Sequence, residues 1–339
     1  MADWMTLGGL TPALVAVVSG TAGCLFYFVA ANWILDRLLP DSSATRGRPA
    51  RREAVRERLR AWIFVAPALL FLAVYLLYPA LETLRLSFLD RSSERFVGWE
   101  NYRWFFTSAD SRRSILNNLL WLLFVPTACV GFGLLVATLA DRIWWGTIAK
   151  TLVFMPMAIS FVGASVIWKF VYSMPVRGDA HIGLLNALVA GLGFTPQYWT
   201  AIPFWNNFFL MVILIWIQTG FAMVIFSAAL RGLPEDTLEA ARIDGANELQ
   251  VFFRIMLPQI WATVLVVWTT ITIVTLKIFD IIWVFARADK SAHILAVTMY
   301  DQLFVALHTG QGSAVAVVIM LAVMPIMVWN LRRFRREER

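Results

Sequence analysis

The sequence predicts an all-α membrane protein that crosses the bilayer about seven times. Hydrophobic residues make up 60% of the 339 residues and charged residues only 15%, against roughly 45–50% and about 25% in ordinary soluble domains. A soluble chain of this length could not bury so much apolar surface, so lipid must cover part of it. The apolar residues also gather in seven stretches, each near the ~20 residues that span a membrane as a helix. These stretches are residues 10–35, 61–88, 115–140, 147–173, 204–230, 260–285 and 314–331.

Local features refine these predicted spans. A cleaved signal peptide needs a positive charge ahead of a short apolar core, whereas Asp3 is the only charge before the first stretch. We therefore predict that this stretch is retained as a helix. Pro126, Pro156 and Pro325 fall inside spans and predict kinks, because each removes a backbone donor. The apolar segment 182–193 is too short to cross and is predicted to lie at the interface or to re-enter.

The positions of lysine and arginine predict the orientation of the spans. Loops 36–60, 141–150 and 231–259 and the tail 332–339 hold 18 of these residues, whereas the alternate loops hold 8. Positively charged loops stay in the cytoplasm, so the N-terminus is predicted outside and the C-terminus inside. The net charge of +7 is accordingly read as an orientation signal, and we do not expect nucleic acid as a partner.

Residue types that carry catalytic chemistry do not form a recognisable site. No lysine follows the glycine that a P-loop requires, and the histidines lack the spacing of metal ligands. The two cysteines lie inside apolar runs and are expected to be small core residues. We therefore expect no catalytic residue, no metal, no cofactor bound by this chain and no nucleotide hydrolysis by this chain alone. The residues concerned are Lys150, Lys169, Lys277, Lys290, His181, His293, His308, Cys24 and Cys129.

The loop 231–259 carries the most specific pattern in the chain. Pro234 fits the first position of a helix, and the run Leu238–Ile243 predicts about two helical turns that end at Asp244-Gly245. Gly245 can adopt the left-handed conformation that stops a helix, and Asp244 can cap the next one. That second helix, Ala246–Met256, is predicted to stop before Pro258 and to lead into the sixth span.

Seven fixed positions of this loop carry a resemblance to a known family. Glu239-Ala240-Ala241, Gly245, Ile255 and Leu257-Pro258 stand at the spacing of the EAA motif of permease subunits in binding-protein-dependent ABC importers. The chain from about residue 61 resembles the maltose-type first permease, and its extra N-terminal span with an Arg-rich linker is similar to the α-glucoside branch. It departs from many relatives at residues 286–293, where ARADKSAH replaces a Thr-Gly-Gly-Pro-like turn. Further matching segments are Trp99–Tyr102, Asn117–Asn118, Phe154–Pro156, Ile167–Trp168, Leu276–Asp280, Met299–Phe304 and Gly310–Val318.

The resemblance implies a type I ABC importer fold, with a core of about six helices and one extra N-terminal helix. It divides the chain into an N-terminal span and cytoplasmic linker (1–60), a first core span and periplasmic loop (61–112), a transmembrane domain with the EAA loop (113–331) and a basic tail (332–339). It implies ATP-driven uptake of a di- or oligosaccharide of the α-glucoside kind across a bacterial inner membrane.

The partners implied are a second permease subunit, an ATPase dimer that binds ATP and Mg²⁺, an extracytoplasmic solute-binding protein and membrane lipid. The residues expected to contact the ATPase are Glu239, Ala240, Ala241, Asp244, Gly245, Ile255, Leu257 and Pro258.

Candidate substrate-path residues come from two lines of argument. Maltose-type permeases contact sugar at four corresponding positions, of which Gln218 and Thr275 are polar here. Ionisable residues inside a span are functional candidates because their burial in lipid is costly. Lys277 and Asp280 lie three residues apart on a predicted helix face, and they either line the path or form an ion pair that holds span six against a neighbour. The full set is Gln218, Phe221, Thr275, Lys277, Ile278 and Asp280.

The residues alone leave two other function classes as alternative hypotheses. A membrane enzyme such as a lipid-linked glycosyl transferase would need an acidic pair in an aqueous loop, and Asp179, Asp289 and Asp301 are scattered. A secondary transporter would need inverted repeats and carboxylates in mid-membrane, for which Asp280 alone is available. A permease driven by a separate ATPase is the hypothesis that explains the EAA loop.

Overall fold

The computed structural model describes residues 7–38, 50–174, 183–286 and 289–337, and the regular secondary structure in these ranges is helical, apart from one isolated β-bridge between Leu89 and Phe96. Contacts divide the chain into a unit of residues 1–82 and a unit of residues 83–339. The helices are α1 (Leu7–Leu38), α2 (Ala50–Leu72), α3 (Tyr78–Leu86), α4 (Glu100–Thr107), α5 (Ala109–Ala140), α6 (Gly146–Phe154), α7 (Phe161–Tyr172), α8 (Leu184–Gly191), α9 (Trp205–Arg231), α10 (Glu235–Ile243), α11 (Glu248–Val251), α12 (Leu257–Gln259), α13 (Trp261–Leu276), α14 (Asp280–Ala286), α15 (Leu295–Tyr300) and α16 (Thr309–Glu337).

Five helices in the described ranges are long and apolar enough to cross a membrane, and the number rises to seven if each of two bent pairs counts as one span. The five uninterrupted candidates agree with the first, second, third, fifth and seventh predicted spans. Pro126 and Pro325 lie inside the continuous helices α5 and α16. Most of the predicted short segment 182–193 forms α8, and residue 182 lies outside the described residues.

The first unit is a pair of helices held by a few specific contacts. The Tyr27 hydroxyl of α1 donates to the Ile63 carbonyl of α2 at 3.0 Å, and the rings of Phe28 and Phe64 stack with centroids 5.1 Å apart. A π-helical turn at Ala73–Leu77 follows α2 and precedes Pro79. None of the apolar residues that span the membrane in this unit is buried in the described structure.

Close helix packing forms the core of the second unit. α5 and α9 lie side by side, and a Cβ added to Gly133 of α5 would lie 2.6 Å from the Cβ of Ala222 on α9. Gly220 of α9 likewise allows close contact with α6, because a Cβ there would lie 2.7 Å from the Val153 carbonyl oxygen. Small residues allow helices to approach in a membrane, where packing rather than the hydrophobic effect drives association.

The fourth and sixth predicted spans are not continuous helices. The fourth breaks after a 3₁₀ segment at Met155–Ala158, and its two halves make an angle of 110°. Ser160 caps the second half by accepting a hydrogen bond from the Gly163 amide at 3.1 Å. Pro156, predicted to cause a kink, lies in this break.

The sixth predicted span ends at Leu276, and a new helix starts at Asp280. Threonine hydroxyls in α13 bond to the carbonyls four residues before them, a pattern that weakens and bends helices. Lys277 and Asp280 therefore stand on either side of a break, and the prediction that they share one helix face is wrong. No ion pair joins them in the described part of the chain.

Polar contacts show which loops of the second unit share a face. At one end of α9, Arg231 and Lys150 both contact Asp141, at 3.2 Å and 2.7 Å. At the other end, Asn206 Nδ2 donates to Asp289 Oδ2 at 3.2 Å. We call the first end, with Asp141, Arg231 and the loop 231–259, the EAA face. The count of basic residues predicts the same grouping, and which face is cytoplasmic stays a prediction.

We expect Gly133→Ala to destabilise the second unit, because the added methyl group overlaps Ala222. Overpacking of this kind costs about 1–3 kcal/mol. The matched control is Gly131→Ala in the same helix, where an added Cβ meets nothing within 4 Å and helix propensity favours alanine. Thermal unfolding in detergent measures both variants. A Gly133→Ala variant as stable as Gly131→Ala would contradict the packing argument.

Candidate functional site

The loop 231–259 contains the α10 helix, which begins three residues before the predicted run Leu238–Ile243. Pro234 is the residue before the first helical position, one place earlier than predicted. Acidic residues at 235 and 236 then occupy the first turn, where the helix dipole favours negative charge. α10 therefore begins at a well-defined point, and only three residues separate it from the end of α9 at Arg231.

Gly245 ends α10 in the left-handed conformation, with φ +81°, as the sequence predicts. The Asp244 amide donates to the Ala240 carbonyl at 2.9 Å, and the Ala246 amide donates to the Ala241 carbonyl at 3.0 Å. These bonds satisfy carbonyls that a helix end leaves unpaired. The two alanines of the motif thus supply the backbone acceptors of the turn as well as a surface without bulky side chains.

The cap of the next helix differs from the prediction. Asp244 is the C-terminal cap of α10, and Asn247 caps α11 instead. The Asn247 side chain accepts from the Gln250 amide, and the Gln250 side chain accepts from the Asn247 amide, both at 2.9 Å. This capping box has an Asn-x-x-Gln signature that is readable in the sequence.

The helix that starts at Glu248 also passes the point where it was predicted to stop. A π-helical turn at Phe252–Met256 leads into α12, which includes Pro258. The wider turn accommodates a residue that has no N–H and whose ring would clash with an α-helical carbonyl. The chain bends by 73° after α12 and continues into α13, so the EAA loop is joined to a span by a corner.

The EAA loop combines an exposed surface with an anchored end. Glu239 and Ala240 are exposed and Ala241 is half-buried, while the neighbouring Ile243 is 85% exposed. Leu257 packs against the main hydrophobic core. Ile255 is half-buried and Pro258 is exposed. The first half of the motif is thus free to meet another molecule, and its later half joins the bundle.

Glu248 ties the EAA loop to the end of α5. Its carboxylate contacts Arg142, which follows α5, at 2.5 Å and Arg242 of α10 at 3.0 Å. One acidic residue therefore joins α10, α11 and the loop after α5. The sequence identifies these charges but does not pair them, because Arg142 lies more than 100 residues before Glu248.

The two broken spans meet α9 around a cavity of about 410 Å³. Ser160 and Phe161 line it from the break in span four, Gln218 lines it from α9, and Asp280 lines it from the start of α14. Non-helical backbone at membrane depth is tolerated where it is buried in protein or lines a cavity. The cavity therefore has an amide, a hydroxyl, a carboxylate and one aromatic face.

The predicted substrate-path residues do not all reach this cavity. Gln218 and Asp280 line it. Thr275 is fully buried and its hydroxyl donates to the Ile271 carbonyl at 2.8 Å. Phe221 and Ile278 pack in or against the core, and Lys277 is exposed. Their roles stay predictions. Sequence reasoning missed Ser160, although a serine four residues after Pro156 is a readable helix-start signal.

Asn117 and Asn118, which belong to the segments that match the family, make hydrogen bonds at the face opposite the EAA face. Asn117 Nδ2 donates to the carbonyls of Ser291 and His293, both at 2.8 Å. Asn118 Oδ1 accepts from the Leu295 amide at 2.7 Å. These residues fix the loop before α15 to α5. In the described ranges, no three His, Cys, Asp or Glu residues are grouped to hold a metal ion.

The family comparison agrees with this architecture. Residues 129–332 match the family model described as the binding-protein-dependent transport system inner membrane component. The match covers more than half of the chain, so the chain belongs to this family of ABC importer permeases. The recognition of the family and the fold class made from the sequence are confirmed.

Comparison with individual proteins gives more detail than the family model. The alpha-glucoside transport system permease protein AglF of Rhizobium meliloti is 54% identical over 329 residues, which are 97% of this chain and 98% of that protein. The osmoprotective compounds uptake permease protein GgtC of Synechocystis is 49% identical over 277 residues, which are 82% of this chain and 99% of that protein. A bacterial ABC transporter involved in the import of alginate has the same fold, with a TM-score of 0.71 at 18% identity over 84% of this chain and 98% of that chain.

We expect Gly245→Val to loosen the junction of α10 and α11. A β-branched residue at positive φ is strained, and the left-handed conformation costs L-residues roughly 1–2 kcal/mol. Hydrogen–deuterium exchange should therefore show the amides of 244–251 opening about 5- to 30-fold more often. Gly245→Asn is the control, because asparagine tolerates this conformation better. Equal protection in both variants would show that φ at Gly245 does not limit the turn.

A double-mutant cycle of Arg142→Gln and Glu248→Gln tests whether the Arg142–Glu248 ion pair holds the EAA loop against the end of α5. Both side chains are nearly half exposed, so the coupling energy should fall in the range of about 0.2–1 kcal/mol that exposed pairs show. The exchange of the α11 amides gives the local opening free energy for each variant. Additive effects would mean that the pair does not hold the loop.

Proposed function

We propose that this chain forms part of the path for a neutral di- or oligosaccharide of the α-glucoside class, with ATP hydrolysed by separate subunits. The observation that carries the proposal is the 54% identity to an alpha-glucoside permease. All but about 10 residues of this chain lie in that alignment, so the extra N-terminal span is included.

The EAA loop is proposed to dock on one subunit of an ATPase dimer that binds ATP and Mg²⁺. The exposed α10 surface and the lack of bulky side chains at Ala240 and Ala241 support this role. Closure of the ATPase pair would pull α10, and Glu248 and Leu257 would transmit the movement to α5 and to the core. ATP shifts the population of states because it binds the closed ATPase pair better. The chain is then a transport subunit and not itself an enzyme.

The cavity beside the broken spans is proposed to bind sugar hydroxyls. Its volume lies within the roughly 300–1,000 Å³ of typical small-molecule sites. Gln218 can donate and accept, Asp280 can accept, and Phe161 offers an apolar surface. A second permease subunit would close the other side of the path. We place the N-terminus outside, so that the EAA face lies in the cytoplasm.

Stimulation of ATP hydrolysis in the assembled importer decides between substrate classes. The chain is reconstituted with its second permease, its ATPase and its binding protein, and ATP hydrolysis is measured with maltose, trehalose or sucrose. The 49% identical osmoprotectant permease makes a non-saccharide osmoprotectant such as glycine betaine the competing substrate. Stimulation by an α-glucoside alone supports the proposal, and stimulation by glycine betaine alone overturns it.

We expect Ala241→Trp to abolish uptake, because the indole ring obstructs the docking surface on α10. ATP hydrolysis by the complex should no longer respond to substrate, whereas the amount of chain in the membrane should not change. Ala187→Trp, at an exposed alanine of α8, is the control and should keep uptake. Normal uptake with Ala241→Trp would refute the docking role.

A further inference from the structure

A cavity on the EAA face is not used by the proposed transport cycle. It lies between the second turn of α6 and the last turns of α9, and its volume is about 390 Å³. Its lining includes the basic residues Lys150 and Arg231 and the apolar residues Phe154 and Met223. The cavity is separate from the one lined by Gln218 and Asp280.

We propose that this cavity binds the phosphate headgroup and the adjoining hydrocarbon of an anionic phospholipid. Arg231 is the last residue of a candidate span that starts at Trp205, so the mouth lies at the level of lipid headgroups. Basic pockets between membrane helices at this level bind anionic headgroups.

The two cations are held in place by one carboxylate. Asp141 Oδ1 accepts from Lys150 Nζ at 2.7 Å and from Arg231 Nη2 at 3.2 Å. Burial raises the pKa of Asp141, but the hydrogen bonds from Lys150 and Arg231 outweigh it and hold that pKa below its usual value. Asp141 is therefore ionised at neutral pH, and the three side chains keep one net positive charge.

Both cations keep donors for a ligand. An ammonium group has three N–H donors and a guanidinium group has five, and the structure gives each of these two groups one bond, to Asp141. The Lys150 side chain is only 16% exposed, so its ammonium group is partly desolvated. A phosphate oxygen can be added without breaking the existing ion pairs.

The interior of the cavity combines one buried hydroxyl with a mostly apolar wall. The Ser227 side chain is buried, and its one partner is the sulfur of Met223 at 4.0 Å, the limit for such a bond. The remaining wall includes Phe154 and Ala228. A water-soluble anion would leave this wall wet, whereas a phospholipid covers it with hydrocarbon and brings its phosphate to Lys150 and Arg231.

Lipid retention tests the proposal. The complete importer is placed in nanodiscs of phosphatidylcholine with a fraction of phosphatidylglycerol, and the lipid kept by the released complex is counted by native mass spectrometry. Arg231→Gln should weaken phosphatidylglycerol retention about five-fold, since a basic residue near an anionic headgroup contributes about 1 kcal/mol. Ala228→Leu, which fills the cavity without changing charge, should have the same effect. Arg254→Gln removes an exposed arginine of the EAA face outside the cavity and should leave retention unchanged.

Two results would overturn the assignment. Equal retention by Arg231→Gln and Arg254→Gln would mean that the cavity is not a lipid site. Displacement of phosphatidylglycerol by millimolar inorganic phosphate, with the same stabilisation against heating, would assign the site to a free anion. Thermal unfolding of each variant without phosphatidylglycerol checks that the fold is intact, and uptake of substrate is not needed for either readout.

Discussion

The structure depends on one constraint, which is that backbone polar groups cannot be left unpaired against lipid. The spans interrupted at Ser160 and at Lys277–Phe279 would be costly as isolated helices. They are tolerated because α9 packs beside them. Gly220 lets α9 approach the α6 backbone closely, and Gly133 of α5 does the same for α9 on another side. The same close packing therefore shelters the helix breaks beside the cavity lined by Gln218.

α9 and the EAA loop connect the middle of the bundle to its EAA face. α9 carries Gln218 near its middle and ends at Arg231, where the EAA loop begins. The loop returns to the bundle through the corner after α12, where Leu257 contacts the core. The EAA loop is therefore joined to the membrane helices at both ends, to α9 on one side and to α13 on the other. Glu248 adds a third contact, to the end of α5, which an exposed ion pair makes weaker than the other two.

The polar residues of the opposite face have a different role from those of the cavity. Asn117 and Asn118 use their side-chain amides to hold backbone groups of the loop before α15. Such bonds fix loops that would otherwise expose unpaired carbonyls and amides. Residues that look alike in sequence, an asparagine at 117 and a glutamine at 218, thus divide between holding the structure and facing a cavity.

The sequence alone determined the five uninterrupted candidate spans, the helical class, the family and the turn at Gly245. Each of these follows from local chemistry, namely the length of an apolar run, the spacing of a motif or the freedom of one glycine. The tertiary structure alone decided that Asn247 rather than Asp244 caps α11, that span six ends at Leu276 and that Glu248 meets Arg142. A hydrophobic run has the same composition whether its helix is whole or broken, and only the neighbour that shelters the break makes the broken form stable. Ion pairs between distant residues likewise exist only after packing has brought the helix ends together.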